Sequence, residues 1–222
     1  MTSGRNPFDD AVTRYDGWFD SPKGRVLFEN ELAAIRLLWR SDLRPALEVG
    51  VGTGRFAEAL GVEWGIDPAE QPLRLAEQRG IQVRQARGEA LPFANATFGC
   101  VLMVTTLCFA DDSNDLLGEV ARVLRPDGHL LIADIPADSA WGRHYQQKKA
   151  DGHPLYRNAR FFTGQEITDI VHRAGLLPVR FSSTLIESQP ERPKPEAAQS
   201  GWIAGAGFIC VLCDRAKPAS MI

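Results

Sequence analysis

Apolar and polar positions follow two rhythms along this chain. Short runs, "ALEV" (46–49), "WGID" (64–67), "IQVRQA" (81–86), "FGCVLMVTT" (98–106) and "HLLIADI" (129–135), predict strands. Several are too apolar for a sheet with one wet face and belong in the centre of a parallel sheet. Between them lie stretches with helical spacing. These are "GRFAEAL", then "PAEQPLRLAEQRG" closed by Gly80, then "DSNDLLGEVARVLRPDG", where Leu116, Leu117, Val120, Val123 and Leu124 share one face and Pro126 with Gly128 ends the element. Strand and helix alternate throughout, which predicts right-handed βαβ units in a doubly wound α/β sheet.

After "ADIP" the rhythm breaks. The polar and aromatic stretch at 137–162 has no clean period and reads as a lid or insertion. "TGQEITDIVHRAGL" then predicts a helix with Thr163 as N-cap, Glu166 as its capping-box partner and Gly175 at the C-terminal end. "PVRFSSTLIE" and "GFICVLC" close the chain as strands. The proline-rich "SQPERPKPEAAQSGWIAGA" between them predicts a long exposed loop.

Composition narrows the classes. The 222 residues suit one sizeable core, and 44% hydrophobic with 24% charged residues is ordinary for a soluble globular chain. A net charge of −3 offers no general attraction to phosphate backbones, so no nucleic-acid partner is expected. No apolar run approaches a membrane span and "MTSGRNPFDDAV" does not resemble a signal peptide, so the expectation is a cytoplasmic protein without a membrane partner. Cys100 and Cys108 lie in apolar surroundings. Cys210 and Cys213 have C-x-x-C spacing, but an offset of three on a strand points them to opposite faces. Buried reduced thiols, and no metal site, are expected.

The candidate chemistry begins at "LEVGVGTGRF". Gly50, Gly52 and Gly54 form G-x-G-x-G, which fits neither the dinucleotide fingerprint G-x-G-x-x-G nor a P-loop. Glu48 precedes them, and Asp67 closes the second strand 19 residues later. A carboxylate there suits a ribose diol, since it accepts from both hydroxyls. The expected ligand is a nucleoside.

These residues resemble the class I S-adenosylmethionine-dependent methyltransferases, in particular the type 11 domain shared by quinone-biosynthesis methyltransferases and many small-molecule enzymes. "LEVGVGTGRF" looks like the first motif of that family, "GIDPAEQPLRLAEQRG" the second, "GEALPF" with "ATFGCVLMV" the third and fourth, and "EVARVLRPDGHLLIADI" the helix and strand that follow. The match spans about 45–136. The resemblance implies a Rossmann-like, seven-stranded, mostly parallel sheet with an antiparallel last strand in a three-layer α/β/α arrangement. It also implies one methyltransferase domain, with a helical cap at 1–40, a cofactor-binding core at 41–136, a lid at 137–162 and a C-terminal helix and strands at 163–222.

Carried over by position, Glu48 with the loop Gly50, Val51, Gly52 and Gly54 would hold the amino-acid end of S-adenosylmethionine. Asp67, with Pro68 beside it, would hold the ribose, and Gly88, Glu89, Ala90 and Leu91 the adenine edge, with Thr105 also at the cofactor. Many relatives carry an aspartate where this chain has Arg87, which leaves recognition of the adenine amino group to Glu89 or to backbone carbonyls. Glu48, in turn, could be a local cap for backbone amides.

The implied reaction is methyl transfer to a small-molecule acceptor, aromatic or anionic, by a monomer or homodimer. An activated sulfonium needs alignment more than a catalytic side chain, and a general base only if the acceptor must lose a proton. Acceptor contacts are expected from Tyr15 and Trp18 before the fold begins, from Thr106 and Cys108 after the fourth strand, and from Tyr145 and Arg160 in the insertion. The first pair could instead belong to a helix packed on the sheet. An Arg160 facing the pocket would favour an acidic or phenolate-like acceptor. Two other readings stand beside this one. One is a binding protein that keeps the nucleoside pocket without methyl transfer. The other is a short-chain oxidoreductase using NADP, for which Tyr145 and Lys149 have the right spacing while the required glycine turn and serine are missing.

Overall fold

The computed structural model describes residues 6–216. Five strands, β1 (Ala46–Val49), β2 (Trp64–Asp67), β3 (Gln82–Gln85), β4 (Phe98–Val104) and β5 (Leu124–Asp134), run parallel. They join β6 (Leu176–Thr184), β7 (Gln199–Ser200) and β8 (Phe208–Arg215) in the order β3-β2-β1-β4-β5-β8-β6-β7. β8 pairs antiparallel with both β5 and β6. The expected seven strands are present, and the two-residue β7 adds an eighth on the edge of β6. Strand order reverses between β1 and β4, so a crevice opens at their carboxyl ends, where ligands gather in doubly wound sheets.

Seven α-helices flank the sheet among the described residues: α1 (Pro7–Trp18), α2 (Pro22–Arg36), α3 (Arg55–Leu60), α4 (Glu70–Gln78), α5 (Ser113–Val123), α6 (Ala140–Ala150) and α7 (Gly164–Arg173). Alternate strand residues enter two cores. Leu47, Val101 and Met103 pack with Leu117 and Val120 of α5 and Ile167 of α7. Ala46, Cys100 and Leu102 pack with Ile35 of α2, Ala57 of α3 and Leu73 of α4. Both faces of β1 and β4 are dry, which is why these strands are apolar without alternation.

Three expectations change. β5 starts at Leu124, so Pro126 and Gly128 lie within the strand, where its register with β4 shifts between the Phe98 and Cys100 pairings. They do not end a helix there, because Val123 is already the last residue of α5. The stretch at 137–162, read as a lid without a clean period, contains a regular helix, α6, capped by Ser139, whose side chain accepts from the Gly142 amide. The proline-rich stretch is strapped down. Glu196 accepts from the amides of Ile186, Glu187 and Ser188, and Asn30 and Trp141 donate to the carbonyls of Lys194 and Ser188. All four cysteines are free and buried. No helix among the described residues is long and apolar enough to cross a membrane.

Candidate functional site

At the end of β1 the chain folds back on β2, the amides of Gly50 and Val51 both donating to the Ile66 carbonyl at 2.8 and 2.9 Å. Gly50 has φ +73°, and a side chain there would overlap Thr106. Gly52 has φ +51°, and a methyl group on it would meet nothing within 4 Å. It would project beside a cavity of about 420 Å³ that Gly50, Gly52, Asp67, Pro68, Gly88 and Glu89 help to line. This is backbone bared for close approach by a ligand. Asp67 accepts from Gly52 N at 3.1 Å on one oxygen and from Ala69 N at 2.8 Å on the other. Each oxygen keeps acceptor capacity. Burial pushes the Asp67 pKa up to about 6. At the other end, Glu89 accepts from the Asp111 amide at 2.8 Å, while Arg87 bridges Glu89 at 3.4 Å and Asp111 at 2.6 Å.

Glu48 stands behind this loop. It is 2% exposed and lines neither cavity described here. Burial raises its pKa well above the carboxylate range, although the Ala57 amide donates to it from the first turn of α3. Its Oε2 has no hydrogen-bond partner among the described residues. In this position it holds the first turn of α3 through the Ala57 amide.

A second cavity of about 340 Å³ adjoins the first. Phe8, Tyr15, Thr105, Phe109 and Leu155 line both. Aromatic rings dominate the rest of its wall, among them Phe19, Trp141, Tyr145 and Tyr156, and two carboxylic residues, Glu31 and Asp134, stand in it. Thr105, at the junction, has φ +47° and donates its amide to Ala133 at 2.8 Å. A left-handed conformation is costly for a β-branched residue and clusters at functional sites. Burial raises the Tyr15 hydroxyl pKa far above its ordinary value.

Of the residues expected from sequence, Tyr15, Trp18, Cys108, Tyr145 and Thr105 line the second cavity, and Thr106 lines the first. Burial pushes the Cys108 thiol well above its usual range, so it is held as a thiol. Val51, Gly54, Ala90 and Leu91 support the loops without lining either cavity. Arg160 lies elsewhere. It is exposed, its guanidinium lies 4.8 Å from the Phe162 ring centroid, and only its backbone amide reaches inward, to the Cys108 carbonyl at 2.7 Å. Lys149 donates to the Ala159 carbonyl and is not paired with Tyr145; Lys148 takes that place, 4.8 Å above the Tyr145 ring. Glu31 and Asp134 were not singled out from sequence.

Known proteins share this fold and its methyltransferase domain. Residues 47–132 match the family model described as a methyltransferase domain. An uncharacterized protein of Mycobacterium tuberculosis is 42% identical over 214 residues, covering 93% of this chain and 74% of that protein. One of Methanocaldococcus jannaschii is 31% identical over 210 residues, covering 95% and 99%. The crystal structure of a SAM-dependent methyltransferase from Thermotoga maritima, described as a possible histamine N-methyltransferase, superimposes with a TM-score of 0.87. It is 32% identical, and the match covers 94% of this chain and 98% of that one.

Proposed function

The chain belongs to the S-adenosylmethionine-dependent methyltransferases, and from that premise we propose that it transfers the methyl group to a small molecule held in the aromatic cavity. The observation that carries this reading is the pair of adjoining cavities. One is lined by the glycine loop and Asp67, the other by rings, and they meet at Tyr15 and Thr105.

When bound, S-adenosylmethionine supplies a methyl group already activated by its sulfonium. Asp67 accepts from the two ribose hydroxyls, while Gly52 leaves room for the chain of the cofactor to pass. Gly88 and Glu89 border the adenine. Glu89 is already engaged by the Asp111 amide and by Arg87, so backbone groups are the better fit for reading the adenine amino group. Tyr15, Phe8 and Phe109 confine the passage through which the acceptor meets the methyl group and exclude water from it. α1 and the stretch at 137–162 are the roof. Arg160, on which an anionic acceptor was expected, belongs to that stretch but turns its side chain to solvent, so its charge does not select the acceptor.

Calorimetry with S-adenosylhomocysteine, followed by transfer of labelled methyl groups to candidate acceptors, tests the reading. Binding without transfer to any acceptor would favour a binding protein that has lost catalysis. No binding would overturn the assignment of the first cavity.

A further inference from the structure

The walls of the acceptor cavity are not electrically neutral in their arrangement. Asp134 closes β5 immediately after Ala133, whose carbonyl holds the Thr105 amide, and so stands beside the junction of the two cavities. The hydrogen bond it accepts comes from its neighbour Ile135 at 2.8 Å, and no basic side chain among the described residues forms an ion pair with it. Glu31 enters the same wall from α2 with no hydrogen-bond or ion-pair partner among the described residues, within electrostatic reach of Tyr15, Tyr145 and Tyr156. Of the basic groups in the wall, Lys23, Arg14 and His144 are engaged or at its rim, while His153 has a buried Nδ1 with no hydrogen-bond partner among the described residues, and burial with Lys148 nearby holds its pKa below the ordinary histidine value. Lys23 donates to the Pro190 carbonyl, Arg14 is exposed, and His144 lies 3.9 Å from Glu191. Lys148 lies 4.8 Å from the Tyr145 ring centroid and 5.9 Å from that of Tyr156, so these rings already accept a cation.

Building on the methyl-transfer reading, we propose that the acceptor is a small organic amine, its nitrogen beside Asp134, which takes the proton that must leave before transfer. Two unpaired carboxylic groups and a set of rings attract a cation and oppose an anion. Burial pushes the pKa of Asp134 up to about 7 and of Glu31 up to about 8, which leaves the first poised to exchange a proton near neutrality. The ammonium gives one proton to the Asp134 carboxylate. The freed lone pair then forms the N–C bond to the methyl carbon as the sulfur departs with the C–S pair, and the positive charge passes from sulfur to the methylated nitrogen.

The test uses the full chain saturated with S-adenosylhomocysteine and three matched probes: 2-phenylethylamine, 2-phenylethanol and phenylacetate. Calorimetry at pH 7 in buffers of different ionisation heat should show the amine binding at least about tenfold more tightly than the other two, with net proton release. Asp134→Asn with Glu31→Gln should erase both the preference and the proton release, while S-adenosylhomocysteine binds as before. With labelled S-adenosylmethionine, Asp134→Asn should lower kcat for the amine about a hundredfold, and Glu31→Gln should act mainly on KM. Equal binding of the three probes, tighter binding of phenylacetate, no heat from the amine at millimolar concentration, or an unchanged kcat in Asp134→Asn overturns the proposal. A protein that binds S-adenosylhomocysteine but shows no amine preference refutes only this inference. One that fails to bind S-adenosylhomocysteine refutes the reading beneath it.

Discussion

Arg55 grips Asp16 with two hydrogen bonds of 2.9 Å, Nε to one carboxylate oxygen and Nη2 to the other. Asp16 belongs to α1, and Arg55 is the residue directly after the glycine loop, so the pair fastens the roof of the site to its floor. Arg55 also bonds Asp20, and Arg79 joins Asp16 to the backbone of Thr53. Charge-assisted, largely buried pairs of this kind are worth about 1–3 kcal/mol. Replacing Arg55 by alanine should therefore speed amide exchange across residues 7–18 at least about tenfold, with β4 and β5 unchanged. Unaltered protection of α1 would show that its apolar contacts suffice.

The same pair sets the response to acid. Burial opposes ionisation of Asp16, but bonds from Arg55, Thr53 and Arg79 outweigh it and hold the pKa well below the ordinary carboxylate range. Because the folded pKa lies below the unfolded one, the stabilisation is complete above the unfolded value of about 4 and is lost as pH falls below it. Chemical denaturation from pH 5 to pH 2 should show a shallower loss in Asp16→Asn than in the parent. Parallel curves would remove Asp16 from the account.

At higher pH four buried carboxylic groups act in the opposite sense, Glu48 and Asp67 beside the two of the aromatic cavity. Asp134 and Glu31 have folded pKa values of about 7 and 8, so between pH 4 and 8 the folded chain binds more protons than the unfolded chain. Stability should decline as pH rises through that window. The double variant Asp134→Asn, Glu31→Gln should make the decline shallower in a series of melting temperatures, the share of Asp67 and Glu48 remaining. An equally steep variant would place the titration elsewhere.

Asp67→Ala should weaken S-adenosylhomocysteine binding by about 2–3 kcal/mol, roughly 30- to 150-fold, through loss of two charge-assisted bonds. The chain should still fold, since the carboxylate otherwise holds only the amides of Gly52 and Ala69. An unchanged Kd by calorimetry would reduce Asp67 to a local cap.

Gly52→Ala puts a methyl group beside the first cavity at φ +51°, costing about 1–2 kcal/mol of stability for the left-handed backbone. Cofactor affinity should fall by more than tenfold, beyond what a shift in melting temperature of a few degrees would suggest. Normal affinity in a folded variant would mean that the ligand avoids this loop.

The order of strands and helices was legible because residues buried on both faces of a parallel sheet leave unbroken apolar runs. That the glycine loop and the acid closing β2 border one cavity was legible too, because a strand-to-helix turn of this spacing and the end of the neighbouring strand meet at the carboxyl ends of the sheet. α6 was not. Its inward residues, Trp141, His144, Tyr145 and Lys148, keep helical spacing, but they line a cavity as well as touching the core at Trp141, so the face is aromatic and basic and carries no apolar stripe. Asp134 had a readable signal, since it closes the apolar run of β5 as Asp67 closes β2. Glu31 had none, being one acid on a helix of mixed charge. Arg160 misled because "RNARFF" looks suited to a pocket, whereas its side chain lies over Phe162 in solvent.

Phe8 and Tyr15 wall both cavities from a single helix, and this couples their traffic. Any swing of α1 wide enough to admit the cofactor beside Asp67 also strips two rings from the neighbouring chamber. On the proposed reading, spent cofactor and methylated product would then leave in one opening, and a second round on the same acceptor would require that it be recaptured. Such an enzyme would be distributive, adding one methyl group per encounter and accumulating the singly modified intermediate before any further product.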